Sequence, residues 1–337
     1  MSIESLIQSL PKAELHLHIE GSLEPELMMH LAQKHQVDLP YKSIEQVRKA
    51  YQFEDLQSFL DLYYLGASVL IDEQDFYQLM WQYLCQCRAQ NIVHTEIMFD
   101  PQTHTHRGIG FDIFMPGFLR AMEVAYQQWG QSSQLILSFL RHLPEQDAID
   151  TFVQAQPYLH QVTAVGLDSS ELNHPPTKFK SVYAQAAKKG LKLVAHAGEE
   201  GPPEYIWEAL NELQVDRIDH GVRSIEDPEL VQTLINKQMP LTVCPLSNTK
   251  LCVFDDMTQH NILSMLERDI LVTVNSDDPS YFGGYLNENF LALHQAFDLT
   301  PAQLIQLVKN SFKASFLDES KKRYWLAKID EFANNTD

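Results

Sequence analysis

The chain has 337 residues, 45% of them hydrophobic and 21% charged, a composition that excludes a disordered, fibrous or low-complexity protein. Its 45 acidic residues outnumber 25 basic ones, and the net charge of −20 with His neutral argues against nucleic acid, an anionic membrane surface or a polyanionic substrate, unless a local basic pocket held one.

In chain order, short apolar runs that mostly end in a polar or ionisable residue predict eight strands. They are Ala13–His18, Val93–Asp100, Leu135–His142, Val162–Asp168, Lys192–His196, Arg217–His220, Leu241–Cys244 and Leu271–Asp277. Nearly continuous apolarity is the mark of strands covered on both faces. Helical spacing lies between them, as in Pro203–Leu213, Pro228–Ile235 and Thr258–Leu266. Strand alternating with helix implies parallel strands joined by right-handed crossovers. The strand ends fall near residues 18, 100, 142, 168, 196, 220, 244 and 277, so from 142 onward they are 24 to 33 residues apart. A (β/α)8 barrel allots about 31 residues to each unit, and the first interval exceeds that by about 50. Residues from roughly Leu27 to Gln90 are therefore expected to form a helical insertion after strand 1, at the carboxyl end of the barrel where a lid belongs. Packing helices are expected beyond Leu286. The expectation is an α/β fold, a (β/α)8 TIM barrel with an inserted helical cap, as one domain over residues 1–337.

The chain has no run of about 20 apolar residues, the length that spans a bilayer, and the opening MSIESLIQSLPK lacks the apolar run and cleavage site of a secretion signal. Cys85, Cys87, Cys244 and Cys252 form no CxxC pair, so free thiols in a cytoplasmic protein are expected.

The chemistry gathers at the carboxyl ends of the strands, where barrels carry their active sites. His16 and His18, two apart on a strand, point to one face. His196 ends strand 5, with Glu199 placed to overhang the same cavity, and His220 ends strand 6. Asp277 and Asp278 end strand 8 as a costly adjacent pair unless a cation or donor stabilises them. A second HxH, His104 and His106, sits in the loop after strand 2 and is expected to take no part. The plain alternatives are surface histidines at strand 1 and a solvated turn before Pro279. Three imidazoles and one carboxylate meeting at a point make a zinc-type donor set. Glu199 and His220 would then be an acid and a base beside activated water, an arrangement suited to hydrolytic attack on an sp² carbon.

These residues carry a resemblance. Over essentially its whole length the chain resembles the adenosine/adenine deaminases of the amidohydrolase superfamily, through PKAELHLHIEGS (Pro11–Ser22), HAGEEGP (His196–Pro202), DHGVRS (Asp219–Ser224), CPLSN (Cys244–Asn248) and NSDDP (Asn275–Pro279). FDPQTHTHRGI (Phe99–Ile109), GLDSSE (Gly166–Glu171), PLSNTKLCVF (Pro245–Phe254) and DDPSYFGGY (Asp277–Tyr285) resemble the adenine deaminase subfamily most. The resemblance implies that His16, His18, His196 and Asp277 bind one Zn²⁺ per chain. It implies that Glu199 gives a proton to purine N1, that His220 orients or deprotonates the water at the metal, and that Asp278 hydrogen-bonds N7. The implied reaction is hydrolysis of adenine to hypoxanthine and ammonia in purine salvage, with a small purine base as the partner.

Strand 4 lacks the lysine that bridges two metals in related enzymes, which favours one ion. The cysteine spacing differs from the zinc-cysteine pattern of cytidine deaminases, so the thiols are not expected to be ligands. The alternatives are an adenosine deaminase, a purine-binding protein without turnover, or a hydrolase for another amide or ester. Between base and nucleoside, Glu20 or Glu171 could fill the space a ribose needs or accept the N9–H of adenine, unless both only cap loops. Tyr63, Tyr64, Phe76 and Trp81 could form a stacking lid or merely the insertion's core, and Phe282 is a further candidate for the pocket wall. Zinc against iron, N6-substituted adenines and the oligomeric state are left open by the residues.

Overall fold

Eight parallel strands in sequence order form a closed cylinder in the computed structural model, which describes residues 2–334. They are β1 (Lys12–His18), β2 (Ile92–Phe99), β3 (Ser132–Leu140), β4 (Val162–Asp168), β5 (Lys192–Ala197), β6 (Arg217–His220), β7 (Leu241–Val243) and β8 (Val272–Val274). Each pairs with the next. Closure occurs beyond the end of β8: the His18 N–H donates to the Asp277 carbonyl at 2.9 Å, and the Asp277 N–H to the His16 carbonyl at 3.2 Å. The seam of the barrel thus runs through residues singled out for chemistry. All residues of β1 are buried, Lys12, Glu14, His16 and His18 included, as a strand between an outer helical layer and a packed interior must be even though its sequence alternates.

The observed strand limits lie within three residues of those expected. β8 is the shortest relative to expectation because Asn275 substitutes for the ladder. Its Oδ1 accepts from the Leu15 N–H at 2.9 Å and its Nδ2 donates to Thr273 Oγ1 at 2.9 Å.

Helix α1 (Ile3–Ser9) leads into β1, and four helices separate β1 from β2: α2 (Pro25–His35), α3 (Ile44–Ala50), α4 (Leu56–Ala67) and α5 (Glu73–Ala89). Capping boxes at Asp55/Ser58 and Asp72/Asp75 start α4 and α5 by satisfying their first free N–H groups. After β2 come α6 (Pro101–Thr105) and α7 (Phe111–Trp129). α5 packs against α7 and β2, the place of an outer barrel helix, whereas α4 turns side chains to the barrel mouth.

The helix expected over Pro203–Leu213 starts as an α-helix at Pro203–Glu208 and widens to a π-turn over Ala209–Leu213. The one expected over Thr258–Leu266 is interrupted: a 3-10 turn, Met257–Gln259, is followed by a helix over Ile262–Glu267. The break is local chemistry, since the Ile262 N–H donates to the His260 ring and the Asn261 side chain to the Val222 carbonyl. Beyond Leu286 lie the helices Leu286–Phe297, Pro301–Ala314 and Glu319–Asn334. Among the described residues no helix is long and apolar enough to cross a membrane.

Candidate metal centre and purine pocket

His16 and His18 of β1, His196 of β5 and Asp277 of the seam are far apart in sequence, yet one ligating atom of each lies within 4.8 Å of all the others. His18 Nε2 is 3.2 Å from His196 Nε2 and 3.4 Å from Asp277 Oδ1, which is 3.2 Å from His16 Nε2. Donors at about 2.05 Å from a tetrahedral ion stand about 3.3 Å apart, so these separations suit a shared zinc-sized ion. His16 Nε2 is buried and has no hydrogen-bond partner. Four donor atoms facing one another at these separations, one of them unpartnered, are what a metal site offers.

The charges agree. Burial pulls the His196 ring down to about 4 and holds His220 well below the usual histidine value, so both are neutral. Burial also disfavours a charged His18, but Asp278, Asp100 and Asp168 outweigh it and hold its pKa well above normal. His18 thus sits in a field that calls for positive charge, which a dication supplies as well as a proton. Burial pushes Asp277 up, yet the imidazoles of His16, His220 and His18 overcome it and keep the carboxylate ionised.

Asp219, to which the sequence alone gives no role, stands behind two of the candidate ligand rings at once. Its Oδ1 accepts from Thr242 Oγ1 at 2.8 Å, and that hydroxyl lies 3.0 Å from His16 Nδ1. Its Oδ2 is 3.5 Å from His196 Nδ1. With its proton given to the Asp219 relay, each Nδ1 leaves Nε2 as a lone pair aimed inward. Asp219→Ala is expected to weaken metal affinity about 10–100-fold, measured by competition with a chromogenic chelator; unchanged affinity would remove this role.

Glu199 and His220 adjoin the cluster. His220 Nε2 is 3.5 Å from Glu199 Oε2 and 3.8 Å from Asp277 Oδ2. Burial, then the charge of Asp277, drives Glu199 well above the usual carboxylate range, and the same two causes raise Asp278. The raised pKa values favour the protonated form of both, in which a carboxyl can donate. Glu199 Oε1 and Asp278 Oδ1 are buried without partners, and both residues line the cavity. Asp278 fits only because residue 21 is glycine, since a Cβ there would meet Asp278 Oδ1 at 1.9 Å. His220 and Asp277 have φ of 62° and 64°, left-handed for residues with side chains, a strain of about 1–3 kcal/mol each that functional sites tolerate.

Glu20 and Glu171, expected near the substrate, are occupied elsewhere. Glu20 accepts from the ring of His104, Nε2 to Oε1 at 2.7 Å. The buried His104 of the second HxH is thus a partner for Glu20 outside the metal cluster, while His106 is exposed. Glu171 accepts four backbone N–H groups, from Gly198, Glu199, Glu200 and Gly201, at 2.7–3.0 Å. The loop that carries Glu199 is wrapped on this carboxylate, and a Cβ at residue 201 would strike its Oε1 at 2.5 Å. Loop capping, the plainer alternative, describes Glu171, while Glu20 is tied mainly to the His104 ring. Because Gln accepts through one oxygen only, Glu171→Gln should lower kcat about 10–100-fold, equivalent to about 1.4–2.8 kcal/mol of misplacement at Glu199, with KM changed much less. An unchanged kcat would separate the loop's geometry from Glu171.

The cavity over the cluster, about 380 Å³, is lined by Leu56, Phe59, Leu60, Tyr63 and Tyr64 of α4, together with Phe282, Asp100 and Asp168. Of the four aromatics weighed as a lid, Tyr63 and Tyr64 face it. Phe76 packs on Phe114 and Phe118, and Trp81 on Trp129. Cys244 lies beside His220 and Asp277, but burial and the carboxylates around it raise its pKa well above normal. It stays a thiol and a poor ligand.

The adenosine deaminase family model matches residues 11–332. The chain is 58% identical over 331 residues to an adenine deaminase of Acinetobacter baylyi, covering 98% of this chain and 100% of that one. It superposes on a crystal structure of an adenine deaminase from Arthrobacter aurescens with a TM-score of 0.95 at 44% identity, over 97% of this chain and 100% of the other. A zinc-bound amidohydrolase from Burkholderia ambifaria shares the fold, with a TM-score of 0.90 at 24% identity over 98% and 94% of the two chains.

Proposed function

The chain belongs to the adenosine deaminase family, and on that premise we propose that it hydrolyses adenine to hypoxanthine and ammonia at one zinc ion held by His16, His18, His196 and Asp277. The observation that carries this reading is the convergence of those four donors beside two buried carboxyls, Glu199 and Asp278, whose pKa values are raised, in a cavity that α4 covers. The 58% identity with an adenine deaminase over the full length supports the free base as the substrate.

The ion supplies Lewis acidity that brings the ionisation of water near neutral pH. The protein does the rest. Glu199, as an acid, gives its proton to N1, so that addition at C6 builds no net charge on the ring. Asp278, also an acid, donates its O–H to N7, which is an acceptor. His220 orients or deprotonates the attacking water. Collapse at C6 then passes a proton to the exocyclic nitrogen, which leaves as ammonia. Helices α2 to α4 act as a cap, with α4 closing the mouth against bulk water. The setting is purine salvage in the cytoplasm, with a small purine base and neither nucleic acid nor membrane as partner.

Ammonia release from adenine and from adenosine, followed side by side on metal-replete protein, tests the reading. Turnover of adenine with kcat/KM at least about 10²-fold above that of adenosine is expected, a gap that one missing or clashing polar contact supplies. Equal turnover would make the chain a nucleoside deaminase, and none would make it a binding protein. Metal analysis should return one zinc per chain.

A further inference from the structure

Behind His220, on the side away from the metal ligands, lies a chain of buried polar groups with no part in the reaction described above. It starts at a backbone group that can only donate: the Ile262 N–H, 3.1 Å from His260 Nδ1. Nδ1 is therefore an acceptor, and the proton of this ring sits on Nε2. Burial agrees, holding His260 down to about 3 and thus neutral. His260 Nε2 is 3.2 Å from Asn248 Oδ1, which must be the oxygen of that amide because it faces a donor. The orientation of Asn248 follows, and its Nδ2 lies 3.5 Å from His220 Nδ1. That contact is long, as catalytic contacts commonly are before substrate is in place. His220, Asn248 and His260 are all at most 3% exposed, so water does not compete for these groups. Phe254 packs against the His260 ring, tilted by 40° with 4.5 Å between centroids.

We propose that Asn248 and His260 are positioning residues that fix the tautomer of His220, leaving its Nδ1 bare and its proton on Nε2 facing the cavity. The inference rests on the role given to His220 above and narrows it: His220 presents an N–H to the reacting oxygen, orienting it and stabilising its charge, and is not the base; the proton the water loses would pass to solvent, because a bound ion would bring that ionisation near neutral pH. The surroundings of Nε2 are consistent, since its neighbours there are the oxygens of Glu199 and Asp277, which accept. The interruption of the expected helix at His260 acquires a reason as well, because only a ring outside the helical ladder can take the Ile262 N–H.

Nitrogen-15 histidine spectra of the metal-replete protein, with His220→Gln used to assign its signals, give the direct test. A His220 proton on Nε2 is expected; a proton on Nδ1 overturns the proposal whatever the enzyme turns over. Kinetics supply the second arm. Asn248→Asp is isosteric and still accepts from His260, but it offers no N–H to His220, so kcat for adenine should fall about 10–100-fold with KM little changed. His260→Ala should show a similar fall, and His260→Gln should recover most of it, because a glutamine amide can donate to Asn248 and accept from Ile262. Wild-type kcat in Asn248→Asp, or a His260→Gln variant as slow as His260→Ala, contradicts the proposal. If His220→Gln itself deaminates at the wild-type rate, the role of His220 fails, while the tautomer in the spectrum still judges the relay.

Discussion

Glu199→Gln is expected to lower kcat for adenine by about 10³-fold, within the range that a positioned general acid contributes. The glutamine amide fills the same volume and still donates a hydrogen bond to N1, so purine affinity should hold within a few-fold. What it cannot do is release a proton, and addition at C6 then leaves charge on the ring. The group responsible is identifiable because Glu199 is buried, stands beside the ionised Asp277, and is driven well above the ordinary carboxylate range by both causes. The sign of the pH effect follows. An acid with a raised pKa is protonated below that pKa and loses the proton as pH rises through it, so kcat should fall on the alkaline side. A dication at the ligands pulls the pKa partly back, which moves this limb toward neutrality without removing it. In the glutamine variant nothing titrates at that position, and the limb should vanish along with most of the rate. Stopped-flow single turnovers from pH 5 to 10 would check both parts. A variant retaining a tenth of the wild-type rate would place the proton donor elsewhere.

Stripping the metal should abolish turnover and also soften the fold. Dialysis against a strong chelator leaves His18 beside Asp100, Asp168 and Asp277 with no ion to offset them, 3.4–3.8 Å away. A ligand present at about 1,000 times its Kd stabilises by about 4 kcal/mol. At an unfolding entropy of about 0.7 kcal/mol/K for a chain of this length, Tm should drop by about 6 °C and recover on adding one equivalent of zinc. Asp277→Ala should show the same loss without chelator and no recovery with zinc. It also removes the carboxylate that raises Glu199, so residual chemistry has neither ion nor poised acid. Equal Tm values with and without metal, measured by calorimetry, would mean that the four donors do not hold the ion as a group.

The barrel and the donors gathered at its mouth were legible because both are encoded in local pattern. Apolar runs that end in His or Asp mark the strand ends, the intervals between them count the units, and the alternation of a strand puts His16 and His18 on one face. The helix expected over Thr258–Leu266 was not legible in its true form. Periodicity registers apolar spacing but not that the His260 ring takes the Ile262 N–H. Glu20 and Glu171 were misplaced for a related reason: a glutamate near a motif looks like a substrate contact, while its real partners lie far along the chain. Glu20 meets His104, and Glu171 meets the amides of residues 198 to 201. The histidine of the second HxH motif then acquires a structural use that its spacing alone does not suggest.

By itself, then, the sequence determined the strand count, the order of the units, and which residues stand at the mouth, because these follow from period and position within single segments. Tertiary structure alone decided what each buried charge faces: Asp219 behind two ligand rings, Glu171 beneath the acid loop, Asn248 and His260 behind His220. The physical reason is that hydrogen bonds and Coulomb fields depend on distance in space, and a closed barrel brings segments hundreds of residues apart to within 3 Å of one another.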